Sequence, residues 1–368
     1  MDLAFLQPLY ETHGPIASLY INTSRDTETA ESKIWIRWEQ ARRELAAQGM
    51  DEETLGAMDE VVGDTEGVSG AHGQVVYAAG GEVLFDSTVS EPPQDYVARG
   101  GPLPDPLPYM VAEGRHIPHV LAVVDSIGAD LRAEYADGRT VNRRVEGADK
   151  PVHKVREGGY HHGHMQRAVD EQVRQNVDQV VDEVTALADR SRAEVVALSG
   201  EAQVRGELME RLPERVRERV VVLGAGSRAP GSDSSPLDEE LSALLDREAA
   251  EHIEQAVSVY ERERPGGAAT DGFANTVRAL QRGQVDTLLW SNTLQGADRD
   301  VWIGPSGEQI FLSEQTLHDM GIDGSSREKA GPALARAVAT TGAELVFVPE
   351  NEARFEEGIG AVLRYANE

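Results

Sequence analysis

Apolar and polar positions divide the chain into three groups of elements. In the first, the runs at 17–22, 74–79 and 82–86 are dense in β-branched and aromatic residues and predict strands. Gly80-Gly81 between the last two predicts a two-residue hairpin, because such a turn needs positive φ at its centre. Ile34, Trp38, Ala41 and Leu45 recur at i, i+4, i+7 and i+11, the spacing of one helix face. From Glu91 to Pro108 the prolines are too frequent for a helix or a central strand. That stretch is expected to be an extended connection leading to a boundary.

The second group opens with a strand at 119–125, turns at 127–129 and continues as a strand at 130–135. A long polar stretch follows. A helix is then predicted from about Met165 to Arg190, with Val169, Val173, Val177, Val180, Val184 and Leu187 on one stripe. Apolar strands at 193–199 and 219–224 enclose another helix, an order that predicts α/β structure with part of its sheet parallel. The third group begins after a helix reaching about Arg264. It contains a helix through Phe273, Val277 and Leu280, strands at 285–290, 301–303 and 343–348, and a helix over about 328–341. No internal repeat stands out.

Composition sharpens this picture. With 368 residues, two or three domains are expected, and 40% hydrophobic residues suffice for several cores. The absence of cysteine excludes disulfides, thiolate metal sites and a cysteine nucleophile. No run of 18 apolar residues occurs and the first residues lack the pattern of a signal peptide, so a cytoplasmic protein with no membrane partner is expected. The formal net charge of -29 opposes nucleic acid, DNA included, unless positive charge is concentrated somewhere.

It is concentrated at 143–167. That window holds six Lys+Arg against three acids, four of the ten histidines and two of the four lysines. Its net charge is therefore +3, where the chain average predicts about −2. Gly158-Gly159 and Gly163 mark it as a loop. A basic, glycine-containing, histidine-rich loop ahead of a long helix has the composition of a projection that meets phosphates. The alternative is a solvated surface loop without a role.

From His119 to about Leu245 the order of elements resembles the middle domain of the archaeo-eukaryotic peptide chain release factors: a strand hairpin, a loop with Gly-Gly, a long helix, then a strand ending in a glycine turn at Ala197-Leu-Ser-Gly200. The run Asp271 to Leu289 and the closing 335–348 are similar to those factors' last domain. The nearer resemblance is to the bacterial branch that includes the Balon-type ribosome hibernation factors and their actinobacterial counterparts, and the excess of Arg over Lys suits such a GC-rich genome. The resemblance implies a three-domain α/β and α+β architecture: an α+β domain at 1–112, an RNase H-like middle α/β domain at 113–246, and a last domain at 247–368 that is a compact α/β sandwich of the kink-turn-binding ribosomal protein type.

Departures from the family pattern bear on activity. In the termination factors a glutamine after Gly-Gly positions the attacking water. Here Tyr160 follows the glycines, His162 stands where a later glutamine falls in related forms, and Gln166 comes four residues further on. Codon-reading motifs are not visible in residues 1–110. The resemblance therefore implies a ribosome-binding translation factor of the hibernation kind. It would occupy the vacant A site, with its loop towards the peptidyl-transferase centre and without ester hydrolysis. Lys150, Lys154, Arg156 and Arg167 would meet rRNA phosphates. Gly158, Gly159, Tyr160, His161, His162, His164 and Gln166 would complete the contact loop, whose aromatic groups can stack on unpaired bases. A translational GTPase is a further implied partner, and no cofactor is expected.

Three other readings compete. Peptidyl-tRNA hydrolysis or ribosome rescue would use His162 as base or orienting group, or Gln166. Metal chemistry would use His161, His162 and His164 with His153, but a glycine-flanked loop fixes ligands poorly, so no metal is expected. A protein-interaction module would use the acidic positions Asp238, Glu239, Glu240 and 251–261. The Gly224–Pro236 loop is rejected as a phosphate loop because Pro230, Gly231 and Pro236 separate its glycines from a helix that opens with acids. Trp35, Trp38, Trp290 and Trp302 are expected in the core or at interfaces, Asp125 in a turn, and Ser199-Gly200 lacks a nucleophile-elbow frame.

Overall fold

The computed structural model describes all residues except 2, 13, 66–69, 137, 147–161, 230–231, 367 and 368, and the side chains of 162–173 are likewise outside the description. The chain forms two compact units, one from Met1–Arg115 with Ala250–Glu368 and the other from His116–Ala249. The segments on either side of the second unit share one buried cluster, where Leu3, Leu6, Val75 and Tyr77 join Trp290, Leu334 and Phe347. Among the described residues no helix is long and apolar enough to cross a membrane.

In the first unit, β1 (Ile16–Asn22), β2 (Gly73–Ala79), β3 (Glu82–Val89) and β4 (Tyr96–Gly101) form an antiparallel sheet in the order β3-β2-β1-β4. Leu19, Ile21, Val76 and Ala78 pack on the helices Ala30–Ala47 and Glu52–Asp59, while Ile16, Val75 and Tyr77 point into the shared cluster. Both faces are covered, so β2 is buried along its whole length and reads as a continuous apolar run. The Gly80-Gly81 hairpin is present, with φ of 58° and 80° and Ala79 opposite Glu82. The proline-rich stretch differs from expectation. It contains the edge strand β4 and the short helix Leu107–Glu113, because an edge strand tolerates flanking prolines that a central one does not. Trp38 and Trp290 are buried and Trp302 half-buried, but Trp35 is 61% exposed and is not a core residue.

The second unit holds β5 (His119–Val124), β6 (Gly128–Glu134), β7 (Thr140–Glu146), β8 (Val195–Gly200) and β9 (Val220–Val222) in the order β7-β6-β5-β8-β9. The first three are antiparallel and β5, β8 and β9 parallel, which is the RNase H-like arrangement. Polar β7 was not foreseen: its Val141 and Val145 are only half-buried and the rest is charged or exposed, so its apolar alternation is faint. The helix His162–Ser191 covers one face with Val177, Val180, Val184 and Leu187, all buried.

The helix Ser235–Glu263 follows. Its Leu237, Leu241 and Leu244 belong to the second unit's core, and its Ile253, Val257 and Tyr260 pack in the first unit. There β10 (Ala269–Asp271), β11 (Val285–Ser291), β15 (Glu344–Val348) and β16 (Ile359–Leu363) make a sheet in the order β10-β16-β11-β15. A three-stranded sheet of β12 (Asp300–Ile303), β13 (Ile310–Phe311) and β14 (Ser326–Lys329) is inserted between β11 and the helix Ala330–Thr341. That helix, expected from about 328, starts at Ala330 because Glu328 and Lys329 are taken by pairing with β12. The fold is mixed α/β, as expected.

Glu344 on β15 receives a hydrogen bond from His252 Nε2 at 2.9 Å and lies 3.1 Å from the Met1 amino nitrogen. Burial pushes its carboxyl up, but the His252 hydrogen bond and the Met1 ammonium outweigh burial and hold it at about 2, below the ordinary 4.5. A depressed folded-state value means stabilisation that is full above pH 4.5 and lost as the pH falls towards 2. Glu344→Gln is expected to flatten the fall of stability across that window, measured by urea denaturation as a function of pH. In the second unit, Leu187→Ala removes a fully buried side chain and is expected to cost about 2–5 kcal/mol by the same method.

Candidate functional site

Seven of the expected site residues, Lys150, Lys154, Arg156, Gly158, Gly159, Tyr160 and His161, fall at 147–161, outside the described residues. The other four, His162, His164, Gln166 and Arg167, are not in a loop. They lie in the first two turns of His162–Ser191, which begins three residues earlier than expected. Gly163 had suggested a loop there, but one glycine costs a helix only about 1 kcal/mol relative to alanine. His162 and Gln166 are thereby one turn apart on the helix. The basic window is also shorter than it reads. Arg143 and Arg144 belong to β7, and Arg144 is bound to Asp130 at 2.7 Å, so neither is part of a free loop.

Strand and helix lengths explain what this helix does. β5 and β8 have six residues each, about 20 Å of sheet, whereas a 30-residue helix is about 45 Å long. The Asn176 side chain donates to the Ser126 carbonyl at the carboxyl end of β5, and Arg211 holds the Arg174 carbonyl at 3.0 Å. The side chains described on the sheet face, Val177, Val180, Val184 and Leu187, span about 15 Å of the helix's length.

Outside the carboxyl ends of β5 and β8 lies a cleft of about 760 Å³ lined by Asp125, Arg144, Glu146, Glu201, Ser227 and Arg228 among others. Parallel strands of α/β sheets place clefts in this position. Asp125 is the turn residue expected of it: its Oδ1 accepts from the amides of Ile127 and Gly128, both at 2.8 Å. The same oxygen accepts from Arg228 Nη1 at 2.6 Å, and Arg228 Nε lies 3.2 Å from Asp130. Arg228 is almost wholly covered, so its guanidinium ties the loop after β9 to the start of β6. The hydrogen bond from Arg144, with that from Arg228, holds the Asp130 carboxyl below the usual carboxylate range. Sequence reading missed this cluster. Its one available signal was a strand-end aspartate in an α/β pattern, because Arg228 lies 103 residues away.

The rejected Gly224–Pro236 loop also finds its explanation here. Both carboxylate oxygens of Glu240 accept from the Gly224 amide, at 2.9 and 3.0 Å, and Oε2 accepts from Ala225 at 2.9 Å. Those bonds hold the Glu240 carboxyl below its ordinary value. The amides that a phosphate would need are already occupied. Among the described residues no group of three or more His, Asp or Glu is placed to hold a metal ion, and His161, His162 and His164 lie outside that description.

The model of bacterial archaeo-eukaryotic release factor family 2 matches residues 118–265. A Mycobacterium tuberculosis relative, Uncharacterized protein Rv2629, is 31% identical over 364 residues, covering 98% of this chain and 96% of its own. Among solved structures, Dom34 of S. cerevisiae, a translation termination-like factor, is similar at 11% identity and a TM-score of 0.44, with 81% of each chain covered. The archaeal translation termination factor aRF1 is similar at 16% identity and a TM-score of 0.27, with 99% of this chain and 97% of that chain covered.

Gly200 closes β8 against the cleft at φ 108°, and a Cβ there would run into the Val124 carbonyl oxygen. Gly200→Ala is expected to destabilise the chain by about 2–4 kcal/mol, read by chemical denaturation, since both the backbone and the neighbouring strand oppose the side chain.

Proposed function

We propose a function from one premise: the chain belongs to the bacterial archaeo-eukaryotic release factor family. On this reading it is a ribosome-associated translation factor that occupies the vacant A site, with the stretch at 147–167 directed to the peptidyl-transferase centre. It acts there as a hibernation or inhibitory factor without hydrolysing the peptidyl-tRNA ester. Residues 1–112, 113–246 and 247–368 are its three family domains, and a translational GTPase is a partner of the last.

The observation that carries the reading is a basic stretch of sequence directly ahead of a 30-residue helix, within the part of the chain that the family model matches. In the remaining window, 147–167, Lys150, Lys154, Arg156 and Arg167 outnumber the acids Asp149 and Glu157 on an otherwise acidic chain. Phosphate binding would therefore be local to this stretch. The absence of hydrolysis is supported by Tyr160 in place of the glutamine after Gly158-Gly159. A histidine base at His162 would need a group to orient it, and the sequence identifies no partner carboxylate.

Co-sedimentation with vacant bacterial ribosomes at two salt concentrations tests the proposal. Binding is expected at low salt. A Lys150→Ala/Lys154→Ala/Arg156→Ala variant should lower the salt slope of binding by about 3, roughly one per lost phosphate contact. No binding of the parent chain at low salt rejects the reading. A peptidyl-tRNA release assay separates factor from enzyme: no turnover is expected. Turnover abolished by His162→Ala or Gln166→Ala would establish the hydrolytic alternative instead.

A further inference from the structure

The release-factor reading leaves one surface of the first unit unused. On the helix Ala30–Ala47, Ile34, Trp38, Ala41 and Leu45 face the core, while the Trp35 indole is turned out to solvent. Trp35 walls a groove of about 550 Å³ shared with Arg25, Glu31, Glu39, Arg42 and Asp59. Glu31, Trp35 and Glu39 stand at i−4, i and i+4, so carboxylate, indole and carboxylate follow one another a turn apart along one helix face.

The groove's ion pairs are lopsided. Arg25 is 25% exposed and its partner Glu31 84%; Arg42 is 26% exposed and its partners Glu52 and Asp59 are 75% and 43%. In each, the guanidinium is the covered member and the carboxylate the one offered to solvent. Arg25 is further held by the Gly63 carbonyl, and Asp59 by the Trp38 indole N–H at 2.8 Å. Arg43 with Glu39 is the reverse case, an i,i+4 pair at 3.5 Å in which the guanidinium is 75% exposed and the carboxylate 35%. An aromatic face bordered by outward carboxylates attracts cations and repels phosphates.

We propose that this groove binds an arginine-rich segment of a protein partner, one guanidinium stacking on Trp35 and donating to Glu31 and Glu39. Guanidinium fits better than ammonium because it is planar, weakly hydrated and able to stack while its edge donates to carboxylates. The inference does not depend on the ribosome reading, since its probe is a peptide and its site lies in the other unit.

The test is fluorescence anisotropy of the full chain with a labelled Gly-Arg repeat peptide, alongside a Gly-Lys repeat and a labelled oligoribonucleotide. Because any strongly acidic chain attracts polyarginine, the variants carry the discrimination. Trp35→Ala is expected to weaken Gly-Arg binding by roughly five- to thirtyfold. Glu31→Gln/Glu39→Gln is expected to weaken it more than the charge-matched pair Glu254→Gln/Glu261→Gln on the helix Ser235–Glu263. The Gly-Lys repeat should bind more weakly than Gly-Arg and lose less on Trp35→Ala. Unchanged affinity in Trp35→Ala overturns the proposal, as does equal loss in the two Gln pairs. Trp35-dependent binding of the oligoribonucleotide in preference to the peptide also overturns it, by assigning the groove to RNA. Thermal melts confirm folding, and should Trp35→Ala fail to fold, the two Gln pairs decide.

Discussion

The parallel pairing of β5 with β8 is the constraint on which the second unit depends. Antiparallel neighbours can be joined by a tight turn, as β5 and β6 are, but a parallel pair needs a crossover that returns the chain to the same edge of the sheet. His162–Ser191 supplies that return. Its buried stripe, Val177 to Leu187, matches the depth of a six-residue strand. A crossover alone would need about 13 residues of helix at 1.5 Å each. The 30 present exceed that requirement.

That geometry also organises the cleft. Where the strands end, Asp125 turns the chain, Gly200 lets β8 pass against Val124, and Arg228 closes the space between loops. Arg228 and Arg144 are satisfied by Asp125 and Asp130, and the Gly224 and Ala225 amides by Glu240. Polar groups at this edge are thus largely matched by the protein itself, which argues against an open phosphate site.

Charge follows a related logic. Arginine outnumbers lysine, and a planar five-donor fork can serve carboxylates and carbonyls together, as Arg42 does for Glu52 and Asp59, and Arg25 for Glu31 and Gly63. In these pairs the carboxylate is the more exposed member, whereas in Arg215 with Asp189 and Arg299 with Glu357 the guanidinium is. Against a net charge of -29 for the chain, the sequence at 147–167 stays locally basic.

By itself the sequence determined what is local. Periods of two and of about 3.6 residues gave the strands β1, β2, β5, β8 and β11 and the helix face of Ile34, Trp38, Ala41 and Leu45, and two adjacent glycines gave the hairpin. It also marked the basic stretch and, through the glycine turn and the element order, the family. β7, β4 and β14 were not legible, because each is an edge or charged strand whose pairing partner, not its own pattern, makes it a strand. The Asp125–Arg228 cluster and the outward turn of Trp35 escaped for the same reason. A salt bridge across 103 residues and the choice of which tryptophan on one helix faces the core are decided by what packs opposite, and only the tertiary structure holds that information.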